Sequence, residues 1–226
     1  MAVKLATVVI VAVRGFQLAW PPLAYSIADE AEARRVYATV TSAYVAATGL
    51  VVAGLTLLGR WVVRLLAADE FYAAHEALPW VALGWALYGL FLVFVTIAGR
   101  AKVTARVFPA AAAGLAVNVV ALVALVGPLG IAGAGIALCA AYVVMLAAVH
   151  LLTRRAFAVP FEYRRLALVI AVIGGVAVAG EALLPTAGPV GFAARAATLA
   201  ALPFLLVFAR VFRVRQLARL WASVRS

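Results

Sequence analysis

The chain has 226 residues, of which 68% are hydrophobic and only 12% are charged, and its mean hydropathy is +1.15. A soluble domain is about half apolar and about a quarter charged, so this composition excludes an ordinary soluble enzyme. The net charge of +11 does not indicate nucleic-acid binding, because the basic residues lie at the ends of apolar segments and are not interleaved with aromatic residues. The sequence therefore predicts an all-α integral membrane protein in which residues 1–226 form a single domain.

Seven apolar segments follow one another along the chain, each close to the roughly 20 residues that a helix needs to cross the hydrocarbon. They are residues 6–28, 36–58, 78–98, 107–126, 131–152, 166–184 and 190–212. The breaks between them contain a charged run at 29–35, the pair Gly127-Pro128, and prolines at 185 and 189. We expect a polytopic bundle of about seven transmembrane helices with no separate soluble domain.

The loops between these segments alternate in charge. Every second loop is basic, and a further run of arginines follows the last segment. These basic residues are Arg34, Arg35, Arg100, Lys102, Arg106, Arg154, Arg155, Arg164, Arg165, Arg210, Arg213, Arg215, Arg219 and Arg225. The other loops include the acidic residues Asp69, Glu70 and Glu76 and an uncharged turn at 127–130. By the positive-inside rule, the basic loops and the C-terminus lie in the cytoplasm, and an odd number of spans places the N-terminus outside the cytoplasmic membrane.

Three arginines lie near the ends of apolar segments and are expected to reach water. Arg60 and Arg64 are four positions apart, which makes residues 60–66 too polar to continue through lipid. This stretch is predicted to lie at the outer interface, with Trp61 at the level of the headgroups. Arg195, about five residues into the last segment, is likewise expected to snorkel outward.

The first two segments each place polar side chains on one helical face. On the first segment these are Thr7, Arg14, Gln17, Pro21 and Tyr25, and on the second they are Tyr37, Thr41, Tyr44 and Thr48. A cation in the middle of a span costs at least about 2.5 to 3.5 kcal/mol and rarely faces lipid. The two faces are therefore predicted to form walls of a water-filled cavity.

The candidate substrate-binding residues of this cavity are Arg14, Gln17, Tyr25, Tyr44 and Thr48. The Arg14 guanidinium suits bidentate binding of an anionic headgroup such as a phosphate, with amide and hydroxyl neighbours contacting sugar. The sequence leaves a structural alternative open, in which Arg14 bonds to helix carbonyls or to a buried carboxylate and the hydroxyls bond within their own helices. Pro21 and Pro22 predict a kink or an unwound turn, which both interpretations accommodate.

The remaining polar and small residues favour packing over chemistry. Asn118 is predicted to form a hydrogen bond between helices, and Cys139 is predicted to be a small core residue. His75 and His150 lack partners at metal-ligand spacing. The glycines between 130 and 135 are predicted to let helices approach closely, since neither a strand nor a P-loop lysine accompanies them. The sequence holds no Walker motif and no recognisable catalytic pair of carboxylates, so we predict no enzyme activity, no cofactor and no metal.

Six features, spread over nearly all of the chain, suggest a family. They are Phe16-Gln-Leu-Ala-Trp-Pro-Pro22, the charged link 29–35, Arg64-Leu-Leu-Ala-Ala-Asp-Glu-Phe-Tyr-Ala-Ala74, Ala98-Gly-Arg-Ala-Lys102, Asn118 and Pro128-Leu-Gly-Ile-Ala-Gly-Ala-Gly-Ile-Ala137. In this order they make the chain resemble the C-terminal portion of polysaccharide-export flippases of the multidrug/oligosaccharidyl-lipid/polysaccharide superfamily.

The resemblance implies one lobe of a two-lobed transporter in the membrane. Such a transporter moves a polyprenyl-pyrophosphate-linked oligosaccharide from the inner to the outer leaflet for envelope polysaccharide synthesis, driven by an ion gradient or the membrane potential. The chain would supply the C-terminal lobe, and a missing or separately encoded N-terminal lobe would be its partner, besides membrane lipid. Arg14 is the position best suited to the pyrophosphate.

Two alternatives remain open at this point. The chain could be a structural or assembly subunit of a polysaccharide export complex with no transport path of its own, or a drug exporter of the same superfamily. Arg14 in the cavity would disfavour cationic drugs. A membrane-embedded glycosyl or phosphate transferase would need a clustered acidic or metal-binding loop, which the sequence lacks.

Overall fold

Long apolar helices account for almost all of the chain that the computed structural model describes, which is residues 7–66 and 72–208, without the side chains at 7–10 and 12. The helices are α1 (Thr7–Ser26), α2 (Glu30–Leu66), α3 (Ala74–Arg100), α4 (Val107–Thr153), α5 (Tyr163–Leu183) and α6 (Gly188–Phe208), with a 3₁₀ turn at Thr104–Arg106. No strand occurs in these two ranges. The prediction of an all-α protein is confirmed.

Five of these elements are long and apolar enough to cross a membrane. They are α2, α3, α5, α6 and the segment Thr104–Thr153, which contains α4. Their mean hydropathies lie between 1.7 and 2.3, and each combines this apolarity with at least 21 residues of helix. The chain therefore has the character of a membrane-embedded helical bundle.

Helix α4 is a hairpin of two antiparallel arms. As one straight helix its 47 residues would extend about 70 Å, more than twice the thickness of the hydrocarbon. At Gly130 the backbone leaves the helical region, with φ 55° and ψ −135°, a conformation that glycine adopts far more readily than other residues. A Cβ atom added at Gly133 would overlap with the Leu125 carbonyl, and one added at Gly114 would overlap with the Met145 side chain. The arms, residues 107–129 and 131–153, match two of the predicted segments.

Two of the three glycines between 130 and 135 act as predicted, whereas Gly130 forms the turn and an added Cβ atom there would meet nothing within 4 Å. Gly133 admits the backbone of the facing arm, and a Cβ atom added at Gly135 would lie 2.5 Å from the Trp80 Cβ atom of α3. Cys139, one turn further along, is buried, and its thiol donates a hydrogen bond of 3.2 Å to the Trp80 carbonyl. Close helix packing by small residues and the core position of Cys139 are both confirmed.

Helices α2 and α3 form the centre of the bundle. Helix α3 packs against α1, α2 and α4, while α2 packs against α5 and α6 on its other side. Between α2, α5 and α6 the core is aliphatic and includes Ala53, Ile173 and Leu202. Between α1, α2 and α3 it is richer in aromatic residues and includes Trp20 and Tyr37.

The antiparallel order of the helices gathers the basic loops at one end of the bundle. The Arg100 guanidinium, at the end of α3, donates to the carbonyls of Ala24 and Ile27 at the end of α1, at 3.1 Å and 2.7 Å. Arg34 lies over the ring of Phe157, 5.0 Å from its centroid, and so joins the loop after α4 to the same end. We call this the basic end, formed by residues 27–35, 100–106 and 154–165.

Two local features differ from the segments drawn on the sequence. Helix α2 continues unbroken to Leu66 and so includes residues 60–66, whose place at the outer interface stays a prediction. Arg60 is paired with Glu181 at 3.2 Å and does not snorkel alone. Helix α1 is not unwound at Pro21 or Pro22, since it remains helical to Ser26.

Candidate functional site

Helix α1 presents one face that the described residues leave uncovered. Arg14 is exposed on this face, Leu18 is 80% exposed one turn later, and Tyr25 is 52% exposed near the helix end. On the opposite side of the helix Val13 is 1% exposed and packs against α3. We call the residues Arg14, Leu18, Pro22 and Tyr25 the open face of α1.

Arg14 is the charged residue of the open face. No side chain or carbonyl within the described ranges forms a hydrogen bond or ion pair with it. Gln17, one turn further, is half-buried beside it and is also without a hydrogen-bond partner in those ranges. Among the described residues the Arg14 guanidinium therefore keeps its hydrogen-bond donors available on the open face of α1.

The Tyr25 side chain contacts α3. Its hydroxyl lies 3.5 Å from the Thr96 carbonyl, the upper limit for a hydrogen bond. The ring passes over Gly99, where an added Cβ atom would overlap with the hydroxyl. The side chain is thus held toward the basic end but keeps part of its ring on the open face.

Tyr44 and Thr48 lie behind α1, inside the bundle. The Tyr44 hydroxyl is buried and donates to the Ala86 carbonyl of α3 at 2.9 Å. Its ring is packed against Phe16, with 4.8 Å between centroids. The Thr48 hydroxyl donates to the Tyr44 carbonyl one turn earlier, at 2.7 Å. The five predicted residues therefore form two groups. Arg14, Gln17 and Tyr25 lie on α1, whereas Tyr44 and Thr48 lie on α2 and their hydroxyls already donate to carbonyls.

The rest of the second polar stripe is bonded in the same manner. The Tyr37 hydroxyl donates across to the Ala24 carbonyl at 2.9 Å, and Thr41 donates to the Tyr37 carbonyl at 2.7 Å. The Thr41 bond matches the structural alternative that the sequence left open, in which hydroxyls bond within their own helices, whereas the Tyr37 bond joins α2 to α1. A cavity lined by both stripes stays a prediction.

Arg195 is the residue that the sequence prediction placed wrongly. Its side chain is fully buried at 0% exposure instead of snorkelling outward. One guanidinium nitrogen donates to the Glu181 carboxylate and to the Leu57 carbonyl, the latter at 3.2 Å. The others donate to the carbonyls at Pro185 (3.0 Å) and Leu184 (3.1 Å). Burial is possible because every part of the guanidinium has an acceptor.

Glu181 links this arginine to a second one. Its other carboxylate oxygen accepts from Arg60 of α2 at 3.2 Å, and its side chain is 36% exposed. The Trp61 ring lies 5.8 Å from the Arg195 guanidinium and packs edge-on against Phe192. The network joins α2, α5 and α6 at the end opposite the basic end. Its side chains bond to one another and to backbone carbonyls of these helices and of the turn between α5 and α6, so we interpret the network as a contact that holds the three helices together.

A recess at the basic end is a second feature that the sequence did not predict. Its volume is about 190 Å³. The side chains that define it are Phe94, His150, Arg154, Phe157, Phe161 and Tyr163. The Tyr163 hydroxyl and His150 Nε2 are 3.1 Å apart. The six side chains come from α3, from the end of α4, from the loop after it and from the start of α5. Because they are spread over the sequence, no local motif predicts the recess.

Asn118 does not form the predicted bond between helices within the described ranges. It is half-buried on the first arm of α4, where none of the described groups is hydrogen-bonded to its amide. In the same ranges no group of three His, Cys, Asp or Glu side chains is placed to hold a metal ion. No protein-family model, no curated protein and no solved structure matches the chain.

Proposed function

We propose that the chain is one lobe of a membrane transporter that moves a polyprenyl-pyrophosphate-linked oligosaccharide across the cytoplasmic membrane. In this proposal α1, α2, α3, the two arms of α4, α5 and α6 supply seven spans. The basic end lies in the cytoplasm, as the positive-inside rule requires, and the N-terminus lies outside. A second lobe faces α1, and the two lobes rock around a site near the midplane, coupled to an ion gradient or the membrane potential.

The observation that supports this proposal best is Arg14 on the open face of α1. Its guanidinium is the exposed cation of an otherwise apolar helix and has no partner among the described residues. A planar guanidinium binds two phosphate oxygens at once, and such charge-assisted pairs are among the strongest hydrogen bonds in proteins. A pyrophosphate held between two lobes would satisfy Arg14, with Gln17 one turn away to contact sugar.

One observation favours a second candidate, a non-transporting subunit of a polysaccharide export complex. Tyr44 and Thr48 already donate to carbonyls, so they offer no free hydroxyl hydrogen to a sugar. Leu18, 80% exposed next to Arg14, would suit a partner helix. In that case a carboxylate or carbonyl of the partner would satisfy Arg14 in place of a pyrophosphate.

The test is a binding titration with the purified 226-residue chain in lipid nanodiscs and a long-chain polyprenyl pyrophosphate as the probe. The Arg14→Ala variant should bind the probe at least tenfold more weakly, because it loses a hydrogen-bonded charge pair of about 1.5 to 3 kcal/mol. Arg14→Lys should recover part of the affinity, since lysine keeps the charge but not the bidentate geometry.

The matched control is Arg155→Ala, which removes an exposed arginine of the basic end and should leave the affinity unchanged. Equal binding by Arg14→Ala and the original chain would rule out the pyrophosphate site. Saturable binding of a second membrane subunit that is lost in Leu18→Arg, without any binding of the probe, would favour the non-transporting subunit.

A further inference from the structure

The recess at the basic end has walls suited to a polar group that is attached to an apolar one. Its rings are mutually packed, with 5.5 Å between the centroids of Phe94 and Phe161 and 5.7 Å between those of Phe94 and His150. Arg154 adds a guanidinium to this aromatic surface. The recess therefore combines one positive charge with apolar ring faces.

Two carboxylates near the recess are paired with arginines other than Arg154. Glu162, next to the recess, is paired with Arg165 at 3.1 Å, and Glu30 is paired with Arg34 at 3.2 Å. In the described ranges Arg154 has no ion pair and no hydrogen bond from its guanidinium. An anion is thus the ligand that this corner of the basic end favours.

The two helices that border the recess, α4 and α5, expose apolar side chains close to it in sequence. Helix α4 packs against α3, whereas α5 packs against α2 and α6, and α4 and α5 share few close backbone contacts over the described ranges. Apolar side chains are exposed on both helices within two turns of the recess, with Leu151 56% and Leu168 41% exposed. These exposed side chains offer an apolar surface to a hydrocarbon chain attached to the anion.

We propose that this recess binds the headgroup phosphate of an anionic glycerophospholipid. Arg154 pairs with the phosphate, Tyr163 and His150 border the glycerol portion, and an acyl chain lies against the exposed leucines of α4 and α5. The ligand is a membrane component and not the transported substrate, so the inference does not depend on the translocation proposed above.

The experiment is native mass spectrometry of the full chain, released from detergent in the presence of defined lipids. Phosphatidylglycerol should be retained at least tenfold more tightly than zwitterionic phosphatidylcholine. Arg154→Gln should lower the phosphatidylglycerol affinity by about tenfold or more, and Arg154→Lys should recover part of it. The matched control is Arg155→Gln, one residue away and outside the recess, which should retain the lipid as the original chain does.

Three outcomes would overturn the inference. Equal losses in Arg154→Gln and Arg155→Gln would indicate attraction to the whole basic end in place of a built site. Equal retention of phosphatidylglycerol and phosphatidylcholine would show that the recess does not select an anionic headgroup. Glycerol 3-phosphate binding as tightly as phosphatidylglycerol would identify a soluble phosphate as the ligand. The control for folding is the melting temperature. If Arg154→Gln melts at the same temperature as the original chain, its loss of binding does not come from unfolding.

Discussion

Replacing Arg195 with methionine is expected to lower the free energy of unfolding by about 3–5 kcal/mol, the usual result of removing one partner of a buried ion pair. The guanidinium is fully buried and bonded to the Glu181 carboxylate and to the carbonyls of Leu57, Leu184 and Pro185. Without it, those carbonyls lose their donor and Glu181 keeps only Arg60. Reversible unfolding in mixed micelles with increasing sodium dodecyl sulfate measures the change.

Two further variants separate the charge from the packing. The double variant Arg195→Met with Glu181→Leu should recover part of the lost stability, because no carboxylate is then left with a missing partner. Arg60→Met should cost about 1 kcal/mol or less, since its pair with Glu181 is about one-third exposed. If Arg195→Met proved as mild as Arg60→Met, the buried network would not stabilise the end opposite the basic end.

Replacing Gly133 with valine is expected to destabilise the chain by more than about 3 kcal/mol, well beyond the usual cost of overpacking a core. A Cβ atom at Gly133 would overlap with the Leu125 carbonyl, and backbone cannot rotate away as a flexible side chain can. The arms of α4 would have to separate near their turn. The same micelle titration, followed by the loss of helical circular dichroism, reports the effect.

The matched control is Gly174→Val, a helical glycine of α5 at which an added Cβ atom would meet nothing within 4 Å. Its stability should change by less than about 1 kcal/mol, the range of helix propensity among such residues. A similar loss in both variants would mean that valine acts through helix propensity, and the close approach of the two arms would then not explain the result.

The apolar helices were predictable because lipid imposes a simple rule on sequence. A helix must remain apolar for about 20 residues, so the segments at 107–126 and 131–152 could be located without knowing how they pack. The break between them was predictable from Gly127-Pro128, although the chain turns at Gly130, where only a glycine adopts the required φ easily. Because successive helices run in opposite directions, every second loop lies at the same end of the bundle, and these are the basic loops.

The partners of the polar residues could not be predicted in this way. Arg195 and Glu181 are on different helices, 14 residues apart, and only the tight turn between α5 and α6 brings them into contact. Tyr44 lies on a regular polar stripe, but whether its hydroxyl faces water or the Ala86 carbonyl depends on where α3 packs. Periodicity identifies a face of a helix and does not identify what covers it.

The recess illustrates the same limit. Phe94 and Phe161 are 67 positions apart in sequence, and Arg154 is one of many basic residues in the loops. The site depends on how α3, the end of α4 and the following loop meet, which composition and spacing do not encode.

The measurement that tests the central claim most directly is labelling of single-cysteine variants in intact cells with a maleimide that does not cross membranes. The Cys139→Ala substitution first removes the native cysteine, and one cysteine is then introduced by Gly127→Cys, Ala105→Cys or Arg155→Cys. Position 127 lies near the turn of the α4 hairpin, whereas positions 105 and 155 lie at the basic end. A bundle in which α4 crosses twice and the basic end is cytoplasmic predicts that Gly127→Cys is labelled at once. It predicts that the other two are labelled only after the cells are permeabilised. Labelling of all three positions, or of the basic end alone, would contradict the membrane-spanning arrangement proposed for this chain.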